Sequence, residues 1–306
     1  MNKIVVIGSS NTDMVVHSEK LPCPGETVMG GAFFMSQGGK GANQAVGASL
    51  LGGDVIFTTK VGDDMFGETS LKCYREAGLR TDFIAVSADK LSGIALIMVD
   101  ANAENCISVA GGANLELHAV DTEQALGAIE AGDIVLLQLE IPLPTVAYVV
   151  EEASKRGARV VLNPAPAAKL DEALLSKVYM LTPNRIEPGM LTGIDIQTEA
   201  DEELAADRLH ALGIDVVVMT LGSHGALLST PTGKQRFASR KVTAVDTTCA
   251  GDVFNAGLCV GLAEGKSLED AIRFATVASS ISVTRKGAQT SIPTREEVEA
   301  ALQCEA

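Results

Sequence analysis

The sequence predicts an α/β sandwich built on a mostly parallel sheet. Three observations carry this. Short Val/Ile/Leu-rich runs alternate with longer stretches of helical periodicity, and several of those stretches stop at glycine. The chain has 306 residues, 46% of them hydrophobic and 21% charged, which is enough for a large buried core. Continuous apolar runs suit strands covered on both faces, and helical crossovers join parallel neighbours.

Taken in order, residues 4–7, 55–59, 134–139, 159–162, 179–181 and 216–220 read as the strands. Residues 42–51, 66–77, 144–156 and 201–212 read as helices. They are closed by Gly52, Gly78, Gly157 and Gly213, where a chain leaving a helix turns left-handed. Two regions break the alternation. Residues 12–37 hold a strand-like 14–17, a Pro-Cys-Pro-Gly turn at 22–25 and a strand-like 27–32. Residues 92–109 read as a hairpin of 93–99 and 105–109 about a polar turn at 100–104. Paired with each other, these insertions would form a small separate sheet and a candidate lid; alternatively, both are edge strands of the main sheet. The last third reads as antiparallel strands at 226–229 and 236–238, then helices at 252–263 and 268–284. No repeat or linker divides the chain, so one unit spanning 1–306 is expected.

Composition excludes several function classes. Lys and Arg number 24 against 39 Asp and Glu, a formal charge of −15. Such a chain has no basic footprint for nucleic acid or anionic membranes, although a small basic pocket remains open. With no Trp, eight Phe and three Tyr, it has little aromatic surface on which to stack bases. The six Cys are scattered without a Cys-x-x-Cys pair, which argues against a zinc site or a disulfide framework and for a reducing cytoplasm. The apolar N-terminal run turns polar at Ser9, too early for a signal peptide, and no later stretch has the ~18 apolar residues of a membrane span.

Four local patterns could carry chemistry. Gly38-Gly39-Lys40-Gly41-Ala42-Asn43-Gln44 precedes a helix, and bare backbone N–H groups beside one Lys suit a polar or anionic ligand. It is not a Walker A loop: Phe34 stands where glycine is required and Gly41 where a hydroxyl follows the Lys. Nor is it a dinucleotide fingerprint, because Gln44 replaces the third Gly. A glycine turn that packs a helix close to a strand explains the block equally well. Asp246-Thr247-Thr248-Cys249-Ala250-Gly251-Asp252 leads into an apolar helix. Asp252 either caps that helix or acts as a base beside N–H donors, the pairing an alcohol needs to attack a phosphoryl group. Asn184 and Glu187 share one face of a helical turn and suit either capping or Mg²⁺ held through waters. Thr220-Leu221-Gly222-Ser223-His224-Gly225 offers hydroxyls and backbone donors for phosphates, or is an ordinary turn between strands. No Gly-x-Ser-x-Gly elbow or His-Glu-x-x-His motif occurs, and the four His lack metal spacing.

Taken together and in this order, these blocks resemble the ribokinase family of carbohydrate and nucleoside kinases over essentially the whole chain. Gly8-Ser9-Ser10-Asn11-Thr12-Asp13, Gln138-Leu139-Glu140, Asn163-Pro164-Ala165-Pro166 and Thr284-Arg285-Lys286-Gly287-Ala288-Gln289 strengthen the resemblance. It implies a three-layer α/β/α sandwich with a discontinuous lid from 12–37 and 92–109 that also pairs two subunits. It further implies transfer of the ATP γ-phosphoryl group to the 5-hydroxyl of ribose. By the same resemblance, Asn11, Asp13, Gly39, Lys40, Asn43 and Glu140 contact the sugar, Asp252 is the base, and Ala250 and Gly251 form the anion hole. The nucleotide lies over Asn184, Thr220, Gly222, Ser223 and Gly225, with Thr276 near its base, and Glu187 orders the waters of Mg²⁺. Asp246, Thr248, Ser282, Arg285, Gly287 and Ser291 match positions that hold an activating K⁺, partly through backbone carbonyls.

The chain departs from the family pattern in places. Arg-Ile-Glu-Pro-Gly follows Asn184, where the family commonly has an acidic residue and no Pro-Gly, so Pro188 is expected to distort the first helical turn beside Glu187. Cys249 and Val253 occupy positions often held by Ala and Thr. A thiol at a helix N-terminus is either oxidation-sensitive or simply a buried small residue. The rival activities are phosphorylation of 2-deoxyribose, fructose or a nucleoside, and, in another class, a non-catalytic sugar or nucleotide sensor.

Overall fold

The computed structural model describes residues 1–102 and 104–304. Ala103, inside the expected 100–104 turn, lies outside the described residues. In chain order the strands and helices are β1 Ile4–Ile7, β2 Asn11–His17, β3 Phe33–Gly38, α1 Lys40–Leu50, β4 Val55–Thr58, β5 Lys60–Gly62, α2 Met65–Glu76, β6 Ala85–Ser87, β7 Gly93–Val99 and β8 Asn105–Ala110. They continue with α3 Ala119–Gly127, β9 Ile134–Leu137, α4 Leu143–Lys155, β10 Arg159–Leu162, α5 Glu172–Leu175, β11 Met180–Leu181, α6 Pro188–Thr192 and α7 Glu199–Ala211. The last are β12 Val216–Thr220, β13 Ala226–Thr230, β14 Gly233–Phe237, α8 Ala250–Ala263, α9 Leu268–Ser282 and α10 Arg295–Gln303.

The main sheet has the order β14-β13-β12-β11-β10-β9-β1-β4. It is parallel from β4 to β12 and antiparallel at β13 and β14. Strand β1 lies inside the edge strand β4, paired on both sides, with Ile4 opposite both Val55 and Ile134. Its side chains alternate between two cores. Ile4 and Val6 face the layer that includes α1, α8 and α9, while Val5 and Ile7 face the one that includes α3, α4 and α7. This is the expected sandwich of three layers, and it is why the strand sequences read as unbroken apolar runs.

The β-only insertions pair with each other rather than with the main sheet, in the order β3-β2-β7-β8. One strand falls elsewhere than expected. Residues 27–32 have no regular structure, and β3 lies at Phe33–Gly38 because Gly38 pairs with Asn11 and Phe33 with Val16. The β5–β6 pair and helices α3, α5, α6 and α10 had no clear sequence signal. The four stop glycines do stand in left-handed backbone. Every residue of α8 from Asp252 to Ala263 is buried. A helix so largely apolar passes through the interior and brings its first turn, with Asp252, up to the sheet edge.

Candidate active site

The site forms where β1, β9, β10, β11 and β12 end, the edge of an open parallel sheet at which ligands bind. Two helix starts, α1 and α8, meet there. A Cβ on Gly41 would lie 2.5 Å from Ser9 N and 2.6 Å from Gly8 C, so α1 presses its first turn onto the backbone leaving β1. Ala42 N–H donates to Ser9 O at 2.8 Å and fixes that contact. Gly39 has φ 88°, and a Cβ there would lie 2.7 Å from Asn11 N, so only glycine fits. The glycine block therefore does both things the sequence left open: it packs helix on strand, and it brings Lys40 near Asp13 and Asn43 against Asp252.

Around Lys40 gathers an acidic cluster. Glu140 accepts the Lys40 backbone N–H at 3.0 Å and the Ser9 hydroxyl at 2.5 Å on one carboxylate oxygen. Burial of Lys40 favours the neutral amine, but Asp252, Glu140 and Glu187 outweigh it and hold its pKa above the usual value. Asp13 is pushed the other way: desolvation, then the charges of Glu140 and Asp252, lift its carboxyl to about 7. Asn11 is buried, and its Oδ1 accepts from Asn114 Nδ2 at 2.8 Å, which leaves the Asn11 amide NH₂ as the group available to a ligand.

Asp252 lies in the first turn of α8 with one donor on each oxygen. Asn43 Nδ2 donates to Oδ2 and Gln44 Nε2 to Oδ1, both at 2.9 Å. Burial raises its pKa, opposed by Lys40 and these two amides. A carboxylate raised toward neutrality and held at a helix start has the properties of a general base. Ala250 N–H makes only a long bond to Thr247 O, 3.3 Å, and the first N–H groups of a helix lack carbonyl partners within it. Cys249 precedes them at φ 68°, the only non-glycine residue with positive φ among those described. Desolvation and the Asp252 charge push its thiol well above the ordinary value, which argues against the thiolate reading.

On the other side of that helix start opens a cavity of about 460 Å³, walled by Thr220, Gly222, Ser223, Gly225, Gly251 and Thr276. Thr276 Oγ1 is buried there without a hydrogen-bond partner. Phe254, Val283 and Lys241 also line it, and none of them carried a sequence signal. Asn184 is outside this wall but bridges to Thr220 across neighbouring strands. Its backbone N–H and Nδ2 donate to the two oxygens of buried Glu187 at 2.8 and 2.9 Å. Pro188 does not distort the turn as expected. It opens α6, where a missing N–H costs nothing.

The proposed cation residues also converge. Asp246 accepts from Thr248 N and from Gly287 N, each at 2.9 Å, and Asp246 N–H donates to Val283 O, so the 246–248 segment is tied to 282–291. These bonds keep the Asp246 carboxyl below its usual pKa despite partial burial. Arg285 turns its guanidinium to Glu297, and Arg285 N–H donates to Ser282 O at 3.0 Å. Ser291 is buried, with its hydroxyl donating to Ala288 O. Among the described residues no three His, Cys, Asp or Glu side chains gather as a metal cage.

Two residues at the heart of this geometry had no assigned role in the sequence, Gln44 and Asn114. Gln44 was visible as the residue that spoils a dinucleotide fingerprint; Asn114, in a short 3₁₀ turn, gave no sign.

A buried carboxylate at a helix start, with an acidic polar cluster on one side and a glycine-lined cavity on the other, suits phosphoryl transfer between small molecules. The chain belongs to the pfkB family of carbohydrate kinases, whose profile matches residues 1–295. It is 42% identical over 295 residues to the ribokinase of Haemophilus influenzae, covering 96% of each chain. It is 36% identical over 295 residues to the deoxyribokinase of Salmonella typhi, again covering 96% of each. The structure of Arabidopsis thaliana ribokinase complexed with ribose and ATP superposes with a TM-score of 0.90 at 32% identity, covering 99% of each chain.

Proposed function

We propose that this chain phosphorylates D-ribose at O5 with ATP. The single observation carrying the proposal is that Asp252 stands between the two halves of the site. Its carboxylate is held from the Asn43 and Lys40 side, while Gly251, one residue earlier, belongs to the wall of the nucleotide cavity.

Asp13 and Glu140 are acceptors and Asn11, Lys40 and Asn43 donors for the hydroxyls of an uncharged polyol. The 5-hydroxyl lies against Asp252, which takes its proton as the O5–P bond forms and the bond from Pγ to the β,γ-bridging oxygen breaks, releasing ADP. The Ala250 and Gly251 N–H groups receive the developing negative charge. Thr220, Gly222, Ser223 and Gly225 flank the phosphates, and Thr276 lines the same cavity. Mg²⁺, where bound, neutralises phosphate charge. A lone buried carboxylate, Glu187, fits an ion held mainly by phosphates and water. The ionised Asp246 and the carbonyls of 282–291 suit K⁺.

The sheet of β2, β3, β7 and β8 is the lid, excluding water that would otherwise accept the phosphoryl group. Its face opposite Asp13 carries exposed Phe33, Met35, Leu96 and Met98, an apolar surface suited to a second copy of the chain. Six free cysteines and dependence on ATP favour the cytoplasm. No described helix is long and apolar enough to cross a membrane.

The likeness to a deoxyribokinase favours 2-deoxyribose as the second reading. Asn11 argues for ribose, because its free NH₂ can donate to a 2-hydroxyl. Side-by-side kcat/KM for ribose, 2-deoxyribose, fructose and adenosine tests this, with ribose expected first; any other order overturns the substrate. Asp252→Asn should lower turnover ~10²–10⁴-fold while calorimetry still detects ribose binding. A near-normal kcat refutes the base.

A further inference from the structure

Beneath Asp252 runs an unbroken line of buried polar side chains. Gln138 Nε2 donates to Gln44 Oε1 at 2.6 Å, and Gln44 Nε2 donates both to Asp252 Oδ1 at 2.9 Å and to Asn163 Oδ1 at 3.2 Å. Asn163 Nδ2 then donates to Thr182 O at 3.0 Å. Gln44, Gln138, Asn163 and Thr182 are all buried. The direction of this chain is fixed by its end. A backbone carbonyl can only accept, so Asn163 must turn its NH₂ to Thr182 and its oxygen to Gln44. Gln44 must therefore donate, which leaves its own oxygen for Gln138. Flipping any one amide would set two acceptors, or two donors, against each other.

We infer that Gln44 is a positioning residue for the base: with its amide orientation locked by Asn163 and Gln138, it fixes the plane of the Asp252 carboxylate and holds that group in its proton-accepting form. Asn43 alone would let the carboxylate swing about its Cβ–Cγ bond; a second donor on the other oxygen stops it. The same line continues toward the anion hole, because Thr182 Oγ1 donates to Asn255 Oδ1 at 2.5 Å and Asn255 Nδ2 to Gly251 O at 2.9 Å. The residue before Pro183 thus ties base, anion hole and nucleotide strand into one frame.

This inference rests on Asp252 being the base, and the experiment separates the two. The charged and titratable groups acting on Asp252 include Lys40, Glu140, Asp13, Glu187 and Cys249, and none of them is altered by a change at Gln44. Asp13 acts on ribose binding, so the readout is the pH dependence of kcat, which reports the bound complex. In Gln44→Met the acid limb of kcat should move up by about one pH unit, with kcat at its optimum reduced ~10-fold and ribose KM little changed. Gln44→Glu, nearly isosteric, should move the limb further by placing a like charge on Asp252. Gln138→Met, which leaves Gln44 in place but removes one of the two groups that lock its amide, should move it less and in the same direction, and it serves if the Gln44 variants do not fold. An acid limb unmoved in these variants overturns the inference, even if melting temperature falls. Asp252→Asn run alongside distinguishes the failures: if it retains turnover the base assignment is wrong, and if it is inactive while the limb stays fixed only the role of Gln44 is wrong.

Discussion

Gly41→Ala is the sharpest test of how the fold makes the site. The added Cβ would lie 2.5 Å from Ser9 N, 2.6 Å from Gly8 C and 2.7 Å from Gly8 Cα, all backbone atoms of the turn after β1. Carbon contacts relax at about 3.5–4.0 Å, so a separation of roughly 1 Å must be found. Strand β1 cannot yield, since β4 and β9 hold it on both edges. The start of α1 must therefore retreat, carrying Lys40 and Asn43 away from Asp252. Overpacking of this kind costs about 1–3 kcal/mol, and a displacement near 1 Å lowers turnover by about 10²-fold. Coupled ADP release gives kcat/KM, and calorimetric melting gives the stability, with a Tm fall of roughly 2–4 °C per kcal/mol. Gly127→Ala at the end of α3 is the control: nothing lies within 4 Å of its Cβ, and a gain of about 0.4–1 kcal/mol is expected. A Gly41→Ala enzyme with unchanged kcat/KM and Tm refutes the close-packing argument.

Asp13 gives a pH prediction with two opposite signs. Its folded value, about 7, is raised above the ordinary 3.8. Its stabilising contribution is therefore fully present below the ordinary value and is lost as pH rises through about 7. Ribose needs the ionised acceptor, so ribose KM should rise as pH drops below about 7, and Asp13→Asn should flatten that trend; a flat wild-type KM refutes it. Cys249→Gly relieves the φ 68° backbone and should stabilise by ~1 kcal/mol, read by melting, whereas an unchanged or lower Tm shows that the conformation carries no strain. Rates in K⁺ should exceed those in Na⁺ at matched ionic strength, and Asp246→Ala should erase the difference; equal wild-type rates remove the cation site. Leu96→Glu should convert a dimer to monomers by sedimentation, and a wild-type monomer would refute the pairing of lids.

Much of this architecture was legible because its signals are local. Apolar runs mark β1, β9, β10 and β12, and glycines at 52, 78, 157 and 213 mark helix ends, because each reports the environment of its own segment. The displaced β3 shows the limit: residues 27–32 looked strand-like, but register against Asn11–Val16 selects Phe33–Gly38. The short elements β5, β6, α5 and α6 have too few residues to show a period. Pro188 looked disruptive only until the helix boundary was known to begin at it.

The sequence by itself determined the sandwich, the presence of two β-only insertions, and that of Gly38–Lys40, Asn43 and Asp252 in a kinase-like order; whether the insertions pair with each other or with the main sheet was left to the tertiary structure. Tertiary structure decided what those residues do together. Residues 43, 44, 163 and 252 are scattered over most of the chain, yet their side chains meet each other and the Thr182 carbonyl within hydrogen-bond distance only because α1, α8 and the ends of β10 and β11 converge on one edge of the sheet. Orientation of the Gln44 amide and desolvation of Asp13 are effects of neighbours distant in sequence. Burial and opposing charge act through space, so no local pattern records them.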